Sequence, residues 1–138
     1  MELTFTLHKS PDFIFDYLTD MDKFASIHPV ITRIEKTGQD QYKVYETLRL
    51  GFLPFSFTYP ATVHFNRQGY RVLITATVFG MTKVEMSFVL KPEGDVTRVE
   101  ENIHFSSPLP VKSSMRNVFR KQHTLFFDTL NSLSSSGQ

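Results

Sequence analysis

Three polar side chains occupy positions that the surrounding pattern aims toward a protein interior. Glu46 alternates in step with Tyr42, Val44 and Leu48, and Glu101 in step with Val99, Ile103 and Phe105. Gln122 falls in the middle of an apolar helical stripe near the C-terminus. A carboxylate buried without a partner is costly, so each acid must find one or hold its proton more tightly. Together with Tyr59, such groups can orient the polar head of a bound molecule or act as general acid and base. A β-bulge that turns one of them outward, or a water-bridged network in the core, would fit the same spacing.

The histidines carry a weaker signal. His8, His64 and His104 alternate outward, and His8 and His104 become neighbours if the first and last strands pair. No His-x-His or His-Glu-x-x-His spacing occurs, so no metal site is expected, and no cofactor either. His123 flanks the helical stripe near Phe119, where a structural role is expected. The absence of cysteine excludes thiolate catalysis, Cys-ligated zinc and disulfides.

The elements that must hold these groups follow from periodicity. Leu3, Phe5 and Leu7 mark a first strand. Ser10-Pro11-Asp12 then starts a short helix, with a capping hydroxyl, a proline at the first helical position and an acid in the first turn. A second short helix is expected over 20–26. From Val30 to Phe105 the pattern is one of alternation, broken by turns at 37–40, 51–54, 66–69, 80–81 and 92–95, which gives six further strands in a meander. The longest alternation is Phe55, Phe57, Tyr59, Ala61, Val63 and Phe65.

Residues 107–133 read as one long amphipathic helix, with Val111, Met115, Val118, Phe119, Leu125, Phe126 and Leu133 on one face. Lys112, Arg116, Arg120 and Lys121 fall elsewhere, and Phe127 is expected to pack on the two short helices. The fold class is therefore α+β: a seven-stranded curved antiparallel sheet wrapped around a long C-terminal helix, with two short helices after the first strand.

A chain of 138 residues suggests a single domain, here 1–133, followed by a disordered Ser-rich tail at 134–138. The aromatic content comes from 14 Phe and 5 Tyr, and the formal net charge of +1 argues against a nucleic-acid partner. No apolar run approaches the roughly 20 residues of a membrane span. With no signal-like start, a soluble cytoplasmic protein is expected, either monomer or homodimer.

The order of elements, the Leu7-to-Leu18 segment around Ser10-Pro11-Asp12-Phe13-Ile14-Phe15, His28-Pro29 before the second strand and Thr97-Arg98-Val99-Glu100 in the last resemble the START-like or Bet v 1-like superfamily, the helix-grip group of ligand-binding proteins and polyketide cyclases. The resemblance covers nearly the whole chain. It implies a cavity between helix and sheet for a lipid, sterol, polyketide or other hydrophobic molecule, and it transfers no catalytic residue.

On this reading the cavity walls come from Phe57 and Tyr59 on one strand, Ile74 on the next and Met86 and Phe88 beyond it. Met115, Phe119 and Phe126 face them from the helix. Glu46, Glu101 and Gln122 would set orientation. Loop parity separates a polar end of the meander from an apolar one, where His28, Phe52, Leu53, Phe79, Met81 and Leu109 form an expected cavity entrance. Such a rim also suits transient contact with a membrane surface. Three functions remain open at this point: a carrier for a small hydrophobic ligand, a cyclase or aromatase using Glu46, Glu101 or Tyr59, and an interaction module, like the related co-chaperone domains, whose core is filled.

Overall fold

Ser10 accepts a hydrogen bond on Oγ from the Phe13 N–H at 3.1 Å, and with Pro11 at the first helical position it starts α1, Pro11–Thr19. Asp20 then serves two helices. It caps the C-terminus of α1, and its Oδ1 accepts from the N–H groups of Asp22 and Lys23 to start α2, Met21–Ile27. The computed structural model describes residues 1–134, so nearly all of the expected tail lies outside the described residues.

The strands are β1, Glu2–Leu7; β2, Ile31–Gly38; β3, Gln41–Leu50; β4, Leu53–Asn66; β5, Arg71–Val78; β6, Thr82–Glu93; and β7, Val96–Ser106. They form one curved antiparallel sheet in the order β1-β7-β6-β5-β4-β3-β2, and the last helix, α3, spans Lys112–Ser132. This is the expected helix-grip architecture. α3 begins five residues later than the sequence suggested, because 107–111 lead into it through the Pro108-Leu109-Pro110 segment.

Two irregularities shape the sheet. Register shifts in β2 leave Ile31 and Ile34 both buried, three residues apart, so strict alternation fails there. The second lies at Pro60. Val63 donates its N–H to the Asp40 carbonyl on the β3 side, and alternation therefore turns the Pro60 nitrogen toward β5. Proline has no N–H to give, and the β4–β5 ladder ends at the next residue, where Ala61 pairs with Ala76. From Pro60 back to Leu53, β4 pairs with β3 alone, so this hairpin stands away from β5 as a two-stranded arm.

The buried stripe of α3 is rotated from the expected one. His123, Phe126, Phe127 and Leu130 are buried, whereas Val118 and Leu125 are 44% and 45% exposed. Phe127, expected on the short helices, meets rings of the sheet, Phe5 and Phe88. Its ring stacks on Phe5 of β1 with centroids 4.4 Å apart. The C-terminal half of α3 thus meets β1 through Phe127 and α2 through Phe126, whose ring lies 4.9 Å from that of Phe24. Phe55 and Phe65, at the ends of the long alternation, are exposed. His8 and His104 are not neighbours, for the antiparallel β1–β7 register puts them beyond opposite ends of the ladder.

Candidate functional site

Glu46 lies in an unbulged stretch of the β3–β4 ladder, paired with Phe57, so its side chain keeps the inward parity of Val44. There its Oε1 accepts a hydrogen bond from the Tyr59 hydroxyl at 2.8 Å. Burial raises the pKa of the Glu46 carboxyl, and the Tyr59 bond offsets that only in part. The Tyr59 phenol is pushed up as well, first by burial and then by the adjacent carboxylate.

This pair stands where two hollows meet. Inward lies a cavity of about 60 Å³, walled by Ile74, Met86 and Ala76 from the sheet, by Met21 and Phe24 from α2, and by Phe119 from α3. Outward lies an apolar vestibule of about 420 Å³, between Phe57 and Phe79 on one side and Leu109, Met115 and Val118 on the other. Glu46, Tyr59, Val78 and Phe119 border both spaces. The vestibule exists because β4 parts from β5 at Pro60, which separates Phe57 from the Val78–Phe79 end of β5. The ring of Phe79 reaches back across that gap to Phe57, with centroids 5.1 Å apart. The interior is therefore neither a large chamber nor a filled core.

His28, expected at the entrance, lines the inner cavity instead. It caps the C-terminus of α2, and its Nδ1 accepts from the N–H groups of both Val30 and Ile31 at 3.2 Å. Its ring stacks on Phe24, with Phe126 on a second side. Burial, and secondarily the nearby His123, lower its pKa to about 3, so the imidazole is neutral at ordinary pH. The His28-Pro29 pair carried a sequence signal, but only as a loop marker. The backbone hydrogen bonds to its ring are local, and the contact with Phe126 of α3 is tertiary.

Gln122 and His123 reach the same cavity from α3. Behind His123 stands Glu101, whose side chain is fully buried, with Oε2 2.6 Å from His123 Nδ1. The imidazole gives this deep carboxyl group a polar partner. Glu101 borders neither hollow and acts on the cavity only through His123. Phe88 and Phe126, expected as walls, also lie behind the lining, in the core beside Phe127.

The remaining entrance residues divide by position. Phe79 and Leu109 line the vestibule, whereas Phe52, Leu53 and Met81 stand outside it on the loop tips of the same end, Phe52 being 87% exposed. Among the described residues no three His, Asp or Glu side chains come together as a metal would require, and no helix is long and apolar enough to cross a membrane.

Known proteins give the same architecture. The structure of Ara h 8.0201 superposes with a TM-score of 0.74 at 17% identity, over 94% of this chain and 93% of that one. A START superfamily protein from Mycobacterium smegmatis gives 0.73 at 13% identity, over 95% and 93%. The di-domain ARO/CYC StfQ, from the steffimycin biosynthetic pathway, gives 0.73 at 13% identity, over 95% of this chain and 43% of that one. At such identities the likeness concerns the fold. No curated protein matches by sequence. The family model described as polyketide cyclase / dehydrase and lipid transport matches residues 1–133, and with its sheet, grip helix and interior hollow this chain belongs to that family.

Proposed function

We propose that this protein binds a small hydrophobic molecule, with the apolar body in the vestibule and one polar end passing Glu46 and Tyr59 into the inner cavity. The observation that supports this reading is the junction itself: an apolar space of about 420 Å³ meets a smaller, mostly apolar one of about 60 Å³, and the Glu46–Tyr59 pair borders both. Ligand pockets generally run to ~300–1,000 Å³ with a few placed polar groups. The vestibule alone reaches that range. Apolar burial, at roughly 25 cal/mol per Å², would supply most of the affinity.

The exposed tips favour uptake at an anionic membrane surface. The segments 50–53, 79–82 and 107–111 contain no acid, and Arg49, Lys83, Lys112 and Arg116 stand beside them. Each basic residue at such a surface contributes about 1 kcal/mol.

A second reading draws on one further observation. A desolvated carboxyl with a raised pKa beside a phenol is an acid–base pair of the kind a cyclase or aromatase needs next to an enolisable carbon.

Native mass spectrometry of protein purified without detergent, followed by titration with fatty acids, sterols and aromatic polyketides, tests the first reading. A discrete adduct or a saturable interaction is expected. No adduct and no binding across the panel would sink it. Glu46→Gln then separates the two readings: a carrier keeps its affinity within a few-fold, while an enzyme loses about 10²–10⁴ in turnover.

A further inference from the structure

Two strands leave the body of the sheet at its apolar end. The last bond from β3 to the β2 side runs from the Thr47 N–H to the Val30 carbonyl, and the β4–β5 ladder stops at Ala61. Beyond those points β3 and β4 pair only with each other, Leu48 with Phe55, Arg49 with Pro54 and Leu50 with Leu53. Thr47 Oγ1 and Ser56 Oγ share a hydrogen bond of 2.9 Å across the base of this ribbon. A two-stranded hairpin standing alone is marginally stable in water, so the ribbon needs support from elsewhere.

The backbone supplies none toward β5. Continued by one residue, the ladder would set Pro60 opposite Thr77, and proline has no N–H to give. Pro54 shares that parity, which leaves Ser56 and Thr58 as the N–H groups of this edge. The vestibule lies under the ribbon, so no packed layer holds it from within. What reaches it is Phe79, whose ring stands 5.1 Å from that of Phe57 and 6.3 Å from that of Phe55. Among the described residues no other ring outside β4 meets these two. Phe79 makes this contact from a φ of +54°, which a bulky side chain seldom adopts, and strain of that kind collects at clamps and switches. We infer that residues 48–59 form a flap, hinged at Thr47 and Pro60 and latched by Phe79, that opens to admit a ligand to the vestibule. The entry route rests on the binding reading above, whereas the flap itself does not.

The test starts with amide hydrogen exchange of the full chain, followed by NMR without ligand. Leu48 and Phe55 should exchange at least about tenfold faster than Ala61 and Val63, which belong to the same β3–β4 ladder. Phe79→Asn removes the latch and should widen that difference. Pro60→Thr restores an N–H opposite Thr77, lengthens the β4–β5 ladder and should narrow it. Stopped-flow mixing with a dansyl-labelled fatty acid then reads the entry route. Phe79→Asn should speed both association and release several-fold, and Pro60→Thr should slow association by a similar factor, with melting curves checking that each variant is folded. Equal protection of the two pairs of amides would show that there is no flap. Fast exchange with association rates unchanged in both variants would show a loose ribbon that is not the gate, and hydrophobic binding would still stand. If the fatty acid does not bind at all, the entry route falls with the binding reading, while the exchange data decide the flap by themselves.

Discussion

At one end of the sheet the turns between β2 and β3, β4 and β5, and β6 and β7 are polar, and α1 is tied to the middle one. Phe15 is fully buried there, with Phe65 and Tyr70 edge-on to its ring and the Arg67 guanidinium 4.5 Å above it. Arg67 in turn pairs with Asp12 and Asp16 of α1. At the other end the ladder stops at Pro60, and Phe52, Leu53, Phe79, Met81 and Leu109 are exposed. The same kinds of residue thus do different work. Where α1 lies over the turn, its Phe15 becomes core with the exposed Phe65 against its edge. Where a proline parts two strands, such rings become the walls and lip of a vestibule.

Damage at the closed end should be the most severe. Phe15→Ala is expected to cost about 3–5 kcal/mol, read by urea unfolding, because no rearrangement of α1 fills the space. Glu101→Ala, at the seam between β7 and α3, should cost a similar amount by leaving His123 buried without its partner. Replacing both as Glu101→Leu with His123→Phe should recover much of the loss. Equal stability of single and double variants would show that the pair contributes nothing.

Acid should reveal the inner cavity next. His28 has a folded pKa of about 3 against an ordinary 6.5, so between those values the unfolded chain binds the extra proton. Its contribution is complete above pH 6.5 and is lost as the pH falls toward 3, with a slope of at most about 1.4 kcal/mol per pH unit. His28→Asn should flatten that slope. Glu46 acts with the opposite sign, since its raised pKa favours the fold at low pH and that support fades as the pH rises above 4.5. Glu46→Gln should therefore steepen the acid limb. An unchanged profile in both variants would remove these groups from the account.

At the open end the expected effects on stability are small. Phe79 has a φ of +54° and Gly80 one of +69°, a turn that suits Asn-Gly and strains phenylalanine. Phe79→Asn should gain about 0.5–1 kcal/mol of stability and weaken ligand binding several-fold, because the ring over Phe57 is gone. A variant that binds as well as the original would show that the strained ring is not part of the site. Phe52→Ser with Leu53→Ser should alter stability by less than about 0.5 kcal/mol and reduce association with anionic vesicles in a sedimentation assay.

The sequence determined the order of elements, the helix starts at Ser10 and Asp20, the inward parity of Glu46 and Glu101 and the apolar character of one end. Each of these depends on residues near one another in the chain, through capping, alternation or turn chemistry. Pairing, depth and direction were decided only by the tertiary structure. The rotation of α3 followed from where Phe127 could stack on Phe5, more than a hundred residues earlier. Pro60 became the origin of the vestibule because the strand's register turned its nitrogen toward β5. His28 lies in the interior rather than at the rim, where its ring meets Phe126 of α3. Such outcomes depend on which surfaces meet, and that information is spread over contacts too distant in sequence for any local pattern to carry.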